Sequence, residues 1–351
     1  MLRRRAAGLA LLAAGLGCER SAPVGPLLFV RDAGGRSVVM YLPAGPPGAP
    51  AAPIALPVPG DQAFAAPAGP PGASLLAIGS TEQADGHEER LWIVDLEAGP
   101  RALGRGYARL RSPAWAADGQ SVVVEASSAG FSDLVQVSVV DGAHKPLTDL
   151  PSGAFTPAVA PDGTVAFVSG PDGDLDLYTV PVGGGPIRAL LRAPGEDLNP
   201  TWSPDGRRLA WISSRGAGLG LSVMERGSWA PRALWTPTGQ GEAVPDQGLG
   251  WSPDGALIAL PISEKDRVCI AILDASSGQV LRGPGSARPC PPGVEQGVAW
   301  APDGRGVLTS RSLAGDADLV LIPAREGEEQ RWMAGPGVDW LPRWLSDGAP
   351  R

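Results

Sequence analysis

The chain has 351 residues, of which 43% are hydrophobic and 19% charged, and its formal net charge is −8. This length and apolar content allow a large core and exclude wholesale disorder, while 49 Gly and 38 Pro predict many short strands joined by tight turns. The acidic balance, with no Lys/Arg cluster expected after the N-terminal segment, predicts that nucleic acid is not a partner.

The N-terminal segment predicts export. Arg3, Arg4 and Arg5 precede an apolar run at 6–17 that is too short to cross a bilayer as a helix, so residues 1–17 are predicted to be a secretory signal peptide. Cys18 ends the run and resembles the lipidation site of bacterial lipoproteins. We therefore expect a lipidated Cys and a short tether over 18–26, with an ordinary cleaved signal as the alternative.

Apolar runs after the tether predict strands at 27–31, 37–43 and 53–58, with no inner strand before them. Residues 64–105 then form one degenerate unit, in which ERLWIVDLEAG keeps the pattern of a third strand.

From residue 113 a motif recurs, as in PTWSPDG at 200–206. Its turn aspartates are separated by 44, 43, 49, 49 and 44 residues, and the residues are Asp118, Asp162, Asp205, Asp254, Asp303 and Asp347. Each turn is followed by an apolar strand, a polar loop, a second strand and a short closing segment. This period and content predict four-stranded blades of a β-propeller.

A Trp stands three residues before most of these aspartates, at Trp115, Trp202, Trp251, Trp300 and Trp344. We interpret these side chains as core wedges between blades, the alternative being a ring of aromatic platforms for sugars or bases.

The last copy has an inner strand at 341–345 and no further strands, which complements the N-terminal strands that lack one. The fold class is therefore predicted as all-β, a propeller over 27–348 with seven four-stranded blades and a ring closed by strands from both termini. Six blades are the alternative if residues 43–72 are irregular.

The unit P-x-W-S-P-D-G, followed by an apolar strand and D-L-Y, resembles the TolB-type propeller repeat of bacterial envelope proteins. The resemblance covers 27–348 and implies an envelope setting. The Trp-Asp dipeptide that characterises WD-repeat propellers is absent from the sequence.

Export gives the two remaining cysteines an oxidising compartment. Cys269 lies in the apolar run VCIAIL and Cys290 in the Pro-rich segment RPCPP, and a disulfide between them would close a loop of roughly 20 residues. The alternative is one buried and one loop thiol.

Catalytic motifs are sparse, which predicts a protein that is not an enzyme and needs no cofactor. The only histidines are His87 and His144, and no G-x-S-x-G motif is present. Asp172, Asp174 and Asp176 alternate as in a calcium loop, although strand structure is the preferred interpretation.

Four carboxylates share one register, eight residues before their turn aspartates: Asp197, Asp246, Glu295 and Asp339. They precede inner strands, so they are predicted to form an acidic arc at one mouth of the channel. The hypothesis is a site for a basic peptide segment or a divalent cation, and the alternative is four solvated loop charges.

The predicted function is a lipid-anchored, monomeric, non-enzymatic scaffold in the periplasm or at the cell surface. It would bind an envelope protein or a peptidoglycan-associated partner at the channel mouth. The alternative is an exported metal-dependent lyase or hydrolase that uses the acidic arc.

Overall fold

The computed structural model describes residues 26–344, apart from 34, 45–51, 61, 66–74, 84–85, 129, 172, 238, 240, 266, 292, 314–315 and 334–337. The predicted signal peptide, Cys18 and Asp347 lie outside the described residues, so the boundaries at 1–17 and 18–26 stay predictions. Across the described ranges, no helix is long and apolar enough to span a bilayer.

The described strands group into seven blades. Blade 1 contains β1 (Leu27–Ala33), β2 (Arg36–Leu42) and β3 (Ile54–Ala55). Blade 2 contains β4 (Gln62–Ala65), β5 (Leu75–Gln83), β6 (Gly86–Asp95) and β7 (Gly99–Tyr107). Blade 3 contains β8 (Arg109–Trp115), β9 (Ser121–Ser128), β10 (Phe131–Ser138) and β11 (His144–Pro146). Blade 4 contains β12 (Phe155–Val159), β13 (Thr164–Ser169), β14 (Asp176–Pro181) and β15 (Arg188–Leu191).

The remaining blades follow in the same order. Blade 5 contains β16 (Asp197–Trp202), β17 (Arg208–Gly216), β18 (Gly218–Glu225) and β19 (Arg232–Trp235). Blade 6 contains β20 (Glu242–Ala243), a 3-10 turn (Pro245–Gln247), β21 (Gly250–Trp251), β22 (Leu257–Glu264), β23 (Arg267–Asp274) and β24 (Val280–Arg282). Blade 7 contains β25 (Val294–Trp300), β26 (Gly306–Leu313), β27 (Asp316–Pro323) and β28 (Gln330–Met333), after which β29 (Val338–Trp344) returns to blade 1.

Both ends of the chain build blade 1. The C-terminal strand β29 is its inner strand and pairs antiparallel with β1, with Leu28 opposite Arg343 and Arg31 opposite Asp339. Single parallel contacts on either side join blades 7, 1 and 2 into one twelve-stranded sheet. The prediction of a seven-bladed propeller closed by strands from both termini is confirmed.

The core lies between blades, because the second strand of each blade buries both of its faces. In β17 the consecutive residues Leu209, Ala210, Trp211 and Ile212 are all fully buried. Leu209 and Trp211 pack towards blade 4, whereas Ala210 and Ile212 pack towards blade 6. A single blade has no core of its own, because its apolar faces are covered only by the neighbouring blades. The fold therefore needs repeated blades that close into a ring.

The repeated Trp side chains join neighbouring inner strands. Trp115, Trp202 and Trp251 are at most 9% exposed, which supports the core interpretation. In addition, each indole N–H of three successive blades donates to a carbonyl of the preceding inner strand: Trp202 to Ala158 at 3.2 Å, Trp251 to Thr201 at 3.1 Å and Trp300 to Gly250 at 2.9 Å. These side chains therefore link neighbouring blades by hydrogen bonds as well as filling the space between them.

Candidate functional site

A central channel runs between the inner strands of the propeller. Its open cavity of about 960 Å³ is lined by the inner strands of blades 3 to 6 and by Pro302 of blade 7. Prolines and alanines dominate the lining, and none of the residues that the structure shows along this wall is charged. The wall therefore suits an uncharged molecule or chain segment, although the protein carries a net charge of −8.

One end of the channel, here called the bulge mouth, is formed where the inner strands begin. Ser112, Thr156 and Asn199 occupy equivalent positions there with φ of 48°, 47° and 51°. A register shift in the strand pairing accompanies each of them. Left-handed conformations are uncommon outside glycine, most of all for a β-branched residue, and such strain persists only where the surrounding structure enforces it.

The side chains at the left-handed positions of the bulge mouth differ in whether they form hydrogen bonds. The Asn199 side chain donates through Nδ2 to the Pro245 carbonyl at 2.6 Å. The Thr156 hydroxyl is buried and has no hydrogen-bond partner among the described residues. Sequence reasoning placed Asn199 near the channel mouth but did not identify Ser112 or Thr156, although each of the three directly precedes a Pro in the repeat.

The opposite end of the channel, the turn mouth, carries the Pro-Asp-Gly turns. The Asp205 Oδ1 atom accepts hydrogen bonds from the Ser203 hydroxyl at 2.6 Å and from the Arg207 amide at 3.0 Å. These bonds lower the pKa of Asp205, so its carboxylate stays charged. Gly206 follows with φ of 67°, the left-handed conformation that closes the turn.

The first residue of the predicted arc, Asp197, is fully buried at the start of β16. Its Oδ1 atom accepts hydrogen bonds from the Trp211 indole and the Ser213 hydroxyl, both at 2.8 Å. Arg215 pairs with the same carboxylate and lies 3.5 Å from Asp176 of blade 4. Asp197 therefore anchors a buried network between blades 4 and 5.

Glu295 is 1% exposed and lies between blades 6 and 7. It accepts a hydrogen bond from the Ile270 amide of blade 6 at 2.7 Å, and pairs with Arg282 at 2.9 Å and Arg311 at 3.1 Å. Glu329 completes the network through the same two arginines. Burial works to raise the pKa of Glu329, but the hydrogen bonds and charges of the arginines lower it overall.

Asp339 is 2% exposed on β29 and forms a two-pronged salt bridge with Arg31 of β1, at 2.6 and 2.7 Å. The pair joins residues that are 308 positions apart in the sequence. The bond to Asp339 raises the pKa of Arg31 despite partial burial. Asp339 therefore links the two chain ends at the ring closure.

Asp246 is the exposed member of the predicted arc. Pro245 begins a 3-10 turn that interrupts the inner strand of blade 6, so Asp246 does not sit on a strand as the other three do. The expected open arc of four carboxylates does not form, because three members turn inward to arginines. The binding role stays a prediction, and Asp246 alone remains accessible for it.

The described residues contain no group of three or more His, Cys, Asp or Glu side chains arranged to hold a metal ion. Asp172 lies outside them. The Asp176 carboxylate is buried, which raises its pKa, and it accepts a hydrogen bond from the Ala193 amide at 3.2 Å. The Asp174 carboxylate accepts one from the Gly195 amide at 3.3 Å. Both therefore shape the loop that enters blade 5.

The structure joins Cys269 of β23 and Cys290 in a disulfide, with 5.8 Å between their Cα atoms. The bond ties blade 6 to the segment that leads into blade 7. Glu295, with its arginine partners, follows five residues after Cys290.

His87 is exposed, whereas His144 is half-buried at the edge of blade 3. The His144 Nδ1 atom lies 2.8 Å from the Tyr107 hydroxyl, and its Nε2 atom lies 3.2 Å from the Leu103 carbonyl. Burial and the charge of Arg105 lower the pKa of His144. Both ring nitrogens contact blade 2. The bond to the Leu103 carbonyl works to raise the pKa of His144, but burial and Arg105 outweigh it.

Comparison with known proteins identifies the repeat. A family model described as the TolB beta propeller domain matches residues 81–282. The Tol-Pal system protein TolB of Anaeromyxobacter dehalogenans (strain 2CP-C) is 33% identical over 94 residues, which cover 26% of this chain and 21% of that protein. The uncharacterized peptidase YuxL of Bacillus subtilis (strain 168) is 30% identical over 202 residues, 55% of this chain and 28% of that protein.

Solved structures share the fold at low identity. The crystal structure of TolB from Acinetobacter baumannii aligns with a TM-score of 0.54 and 16% identity, covering 91% of this chain and 82% of that one. A puromycin hydrolase aligns with a TM-score of 0.65 and 20% identity, covering 89% of this chain and 53% of that one. The chain spans 21% and 28% of the length of the two curated relatives named above. It belongs to the TolB β-propeller domain family.

Proposed function

We propose that this protein is an exported scaffold of the bacterial envelope, anchored by lipid at Cys18, that binds a protein partner at the bulge mouth and has no catalytic activity. The observation that carries the proposal is the uncharged channel of about 960 Å³, whose lining in blade 6 begins at Gly248, two residues after the exposed Asp246. Membership of the TolB propeller family, and a relative named for the Tol-Pal system, favour an envelope partner. The partner is an envelope protein or is associated with peptidoglycan, in the periplasm or at the cell surface.

The test is a pull-down of the tagged full chain from its native envelope. Asp246→Ala should weaken partner capture, because it removes the accessible charge of the predicted arc without touching a buried pair. Asp303→Ala, at an exposed aspartate of the turn mouth, is the matched control and should capture as the wild type does. Recovery of the same partners by both variants would contradict the site.

Membrane fractionation tests the anchor separately. The wild-type chain should sediment with membranes, whereas Cys18→Ser should be released, because the acyl chains have no other attachment point in the predicted lipoprotein signal. An unchanged membrane fraction for the variant would contradict lipidation at Cys18.

A second candidate is a hydrolase or lyase, and the matches to the peptidase YuxL and to puromycin hydrolase favour the hydrolase. Use of the predicted arc as metal ligands is disfavoured, since Asp197, Glu295 and Asp339 are already bound by arginines. Turnover of peptide or glycoside substrates by the purified chain, with and without added Mn²⁺ or Zn²⁺, would contradict the scaffold proposal.

A further inference from the structure

Blade 3 differs from blades 4 and 5 at one facing pair of residues. The residue before the left-handed position is Phe155 in blade 4 and Leu198 in blade 5, and the strand partners of these two are Val168 and Ile212. In blade 3 the same two positions hold Arg111 and Glu125. The equivalent pair of blade 7, Gln296 and Ser310, is polar but uncharged. In a repeat fold the neighbouring blades show what packing requires, so a charged pair at this position calls for another explanation.

Arg111 is held in place through its NH1 group, whereas the other edge of its guanidinium, formed by Nε and NH2, is free. Its NH1 group donates to the Glu89 carboxylate at 3.0 Å and to the Leu110 carbonyl at 2.7 Å. Within the described part of the chain, its Nε and NH2 groups have no hydrogen-bond partner. Its neighbour Arg109 is exposed. Four arginines stand between residues 101 and 111, of which Arg101 bonds to the Val139 carbonyl and Arg105 to the Tyr107 hydroxyl.

Glu125 is incompletely satisfied. The half-buried carboxylate accepts a hydrogen bond from the Thr156 amide of blade 4 at 3.3 Å, and it lies opposite Arg111 without bonding to it. Burial raises the pKa of Glu125, against the hydrogen bond from Thr156 and the charges of Arg111 and Arg109. The Thr156 hydroxyl beside it is buried without a partner. Unpaired buried polar groups are costly, so each one in a native protein calls for an explanation, and a bound ligand is one.

These groups stand where the channel opens. Ser112 and Thr156 line the cavity, and each adjoins one member of the set, Ser112 in sequence and Thr156 through its amide. The bulges at both residues interrupt the strand ladder and leave main-chain polar groups without a ladder partner. Beyond them the wall is uncharged and rich in Pro and Ala. A ligand that fits all three features has one anionic end, a hydrogen-bond donor beside it and an uncharged body.

We propose that the bulge mouth between blades 3 and 4 binds the carboxylate end of an uncharged, extended peptide. Arg109 and the free edge of Arg111 bind the carboxylate, Glu125 accepts a hydrogen bond from the last amide N–H of the peptide, and the preceding residues enter the channel. An acidic sugar offers similar polar groups, but the inter-blade Trp rings are mostly buried and offer no stacking platform. The inference rests on the proposed function, since it names the chemistry of the partner segment.

Calorimetric titration of the purified full chain tests the proposal. The probe is N-acetyl-Ala-Pro-Ala-Ala with a free carboxylate, set against the same peptide with a C-terminal amide and against sodium glucuronate. The amide should bind at least about tenfold more weakly, because charge-assisted bonds to arginine are lost. Equal binding of the two peptides, or binding of glucuronate alone, overturns the proposal.

Variants separate recognition from packing. Glu125→Val installs the residue that blade 4 has at this position, and should abolish peptide binding while leaving Tm equal or higher by about 1 to 3 °C. Arg109→Ala should weaken the carboxylate peptide about tenfold and leave the amide unchanged. Arg207→Ala, at the turn mouth, is the control and should bind as the wild type does. A lower Tm for Glu125→Val with unchanged peptide affinity would show that Glu125 is structural only and overturn the assignment.

The two proposals fail in different ways. Peptide binding by the purified chain with no partner recovered from the envelope leaves the carboxylate site standing and removes the scaffold role. A partner captured equally by wild type and Glu125→Val, with no peptide binding, leaves the scaffold role standing and removes the carboxylate site.

Discussion

The seams that join blades 4, 5, 6 and 7 to one another, and the closing blade 1, hold the same ring together by different means. Between successive repeat blades, the chain itself provides the connection, and a buried or partly buried Trp adds packing and an indole hydrogen bond. In blade 1 no peptide bond links β1 to β29, so a strand ladder and the Arg31–Asp339 salt bridge carry the junction. Repetition therefore solves the packing between neighbours, whereas closure needs a specific pair from distant parts of the sequence.

The largest effect is expected at a repeat seam. Trp251→Ala should lower the free energy of unfolding by about 3 to 5 kcal/mol, because a large buried aromatic leaves a cavity. The variant also loses the bond to the Thr201 carbonyl and the stacking of Arg208, whose guanidinium lies 4.6 Å from the ring centre. Denaturant unfolding measures the change. Trp251→Phe is the control and should lose much less, and a loss below about 1 kcal/mol for the alanine variant would contradict the core role.

The disulfide sharpens the comparison, since it adds a second covalent link near the seam of blades 6 and 7. The Cys269→Ser/Cys290→Ser variant should lose about 3 kcal/mol, the chain-entropy value for a loop of this length. Denaturant unfolding with and without reductant measures it. Reductant should shift the wild type towards the variant and leave the variant itself unchanged. An equal response of both proteins would contradict the pairing.

The closing pair should contribute slightly less, because Arg31 keeps a side-chain exposure of 21%. Asp339→Ala should cost about 2 to 3 kcal/mol by leaving Arg31 unpaired beside a buried strand. Hydrogen exchange should quicken first in β1, since its ladder with β29 loses this pair. The double variant Arg31→Met/Asp339→Leu should recover part of the loss, and equal losses in the single and double variants would contradict the pairing.

The smallest effect is a pH response at the seam of blades 2 and 3. The pKa of His144 is lower in the folded protein than its ordinary value of 6.5, so the unfolded chain binds the extra proton first. Stability is therefore full above about pH 6.5 and falls as the pH drops through that value towards the folded pKa. Thermal unfolding between pH 7.5 and 5 measures the slope. His144→Gln should flatten it, and His87→Gln, at an exposed histidine, should not.

Sequence reasoning reached the blades because local signals repeat. The Pro-Asp-Gly turn and the alternating strands act within a few residues, so they can be read wherever they occur. The same local signals did not show that the carboxylates of Asp197, Glu295 and Asp339 are buried and paired with arginines. Their arginine partners come from the second strand of the same blade, from the preceding blade, or from the other end of the chain. A shared register located these carboxylates at inner strands but could not show the direction of their side chains.

The site at Arg111 and Glu125 can be recognised in the sequence once the strand bulges are known. Aligning the blades on the left-handed position shows Arg111 and Glu125 where blades 4 and 5 have apolar residues. The alignment needs the bulge to be known, because the extra residue shifts which positions face each other. Without that shift, Arg111 reads as an ordinary surface charge.

The sequence by itself determined the architecture: an all-β propeller, its period, its Trp seams and a closing blade shared by both termini, with seven blades preferred over six. These follow from short-range turn chemistry and from apolar faces that only a neighbouring blade can cover. Only the tertiary structure decided which charges are buried in pairs, where the strands bulge and what the channel wall exposes. Those properties depend on side chains brought together from distant positions, and on backbone strain that the closed ring enforces.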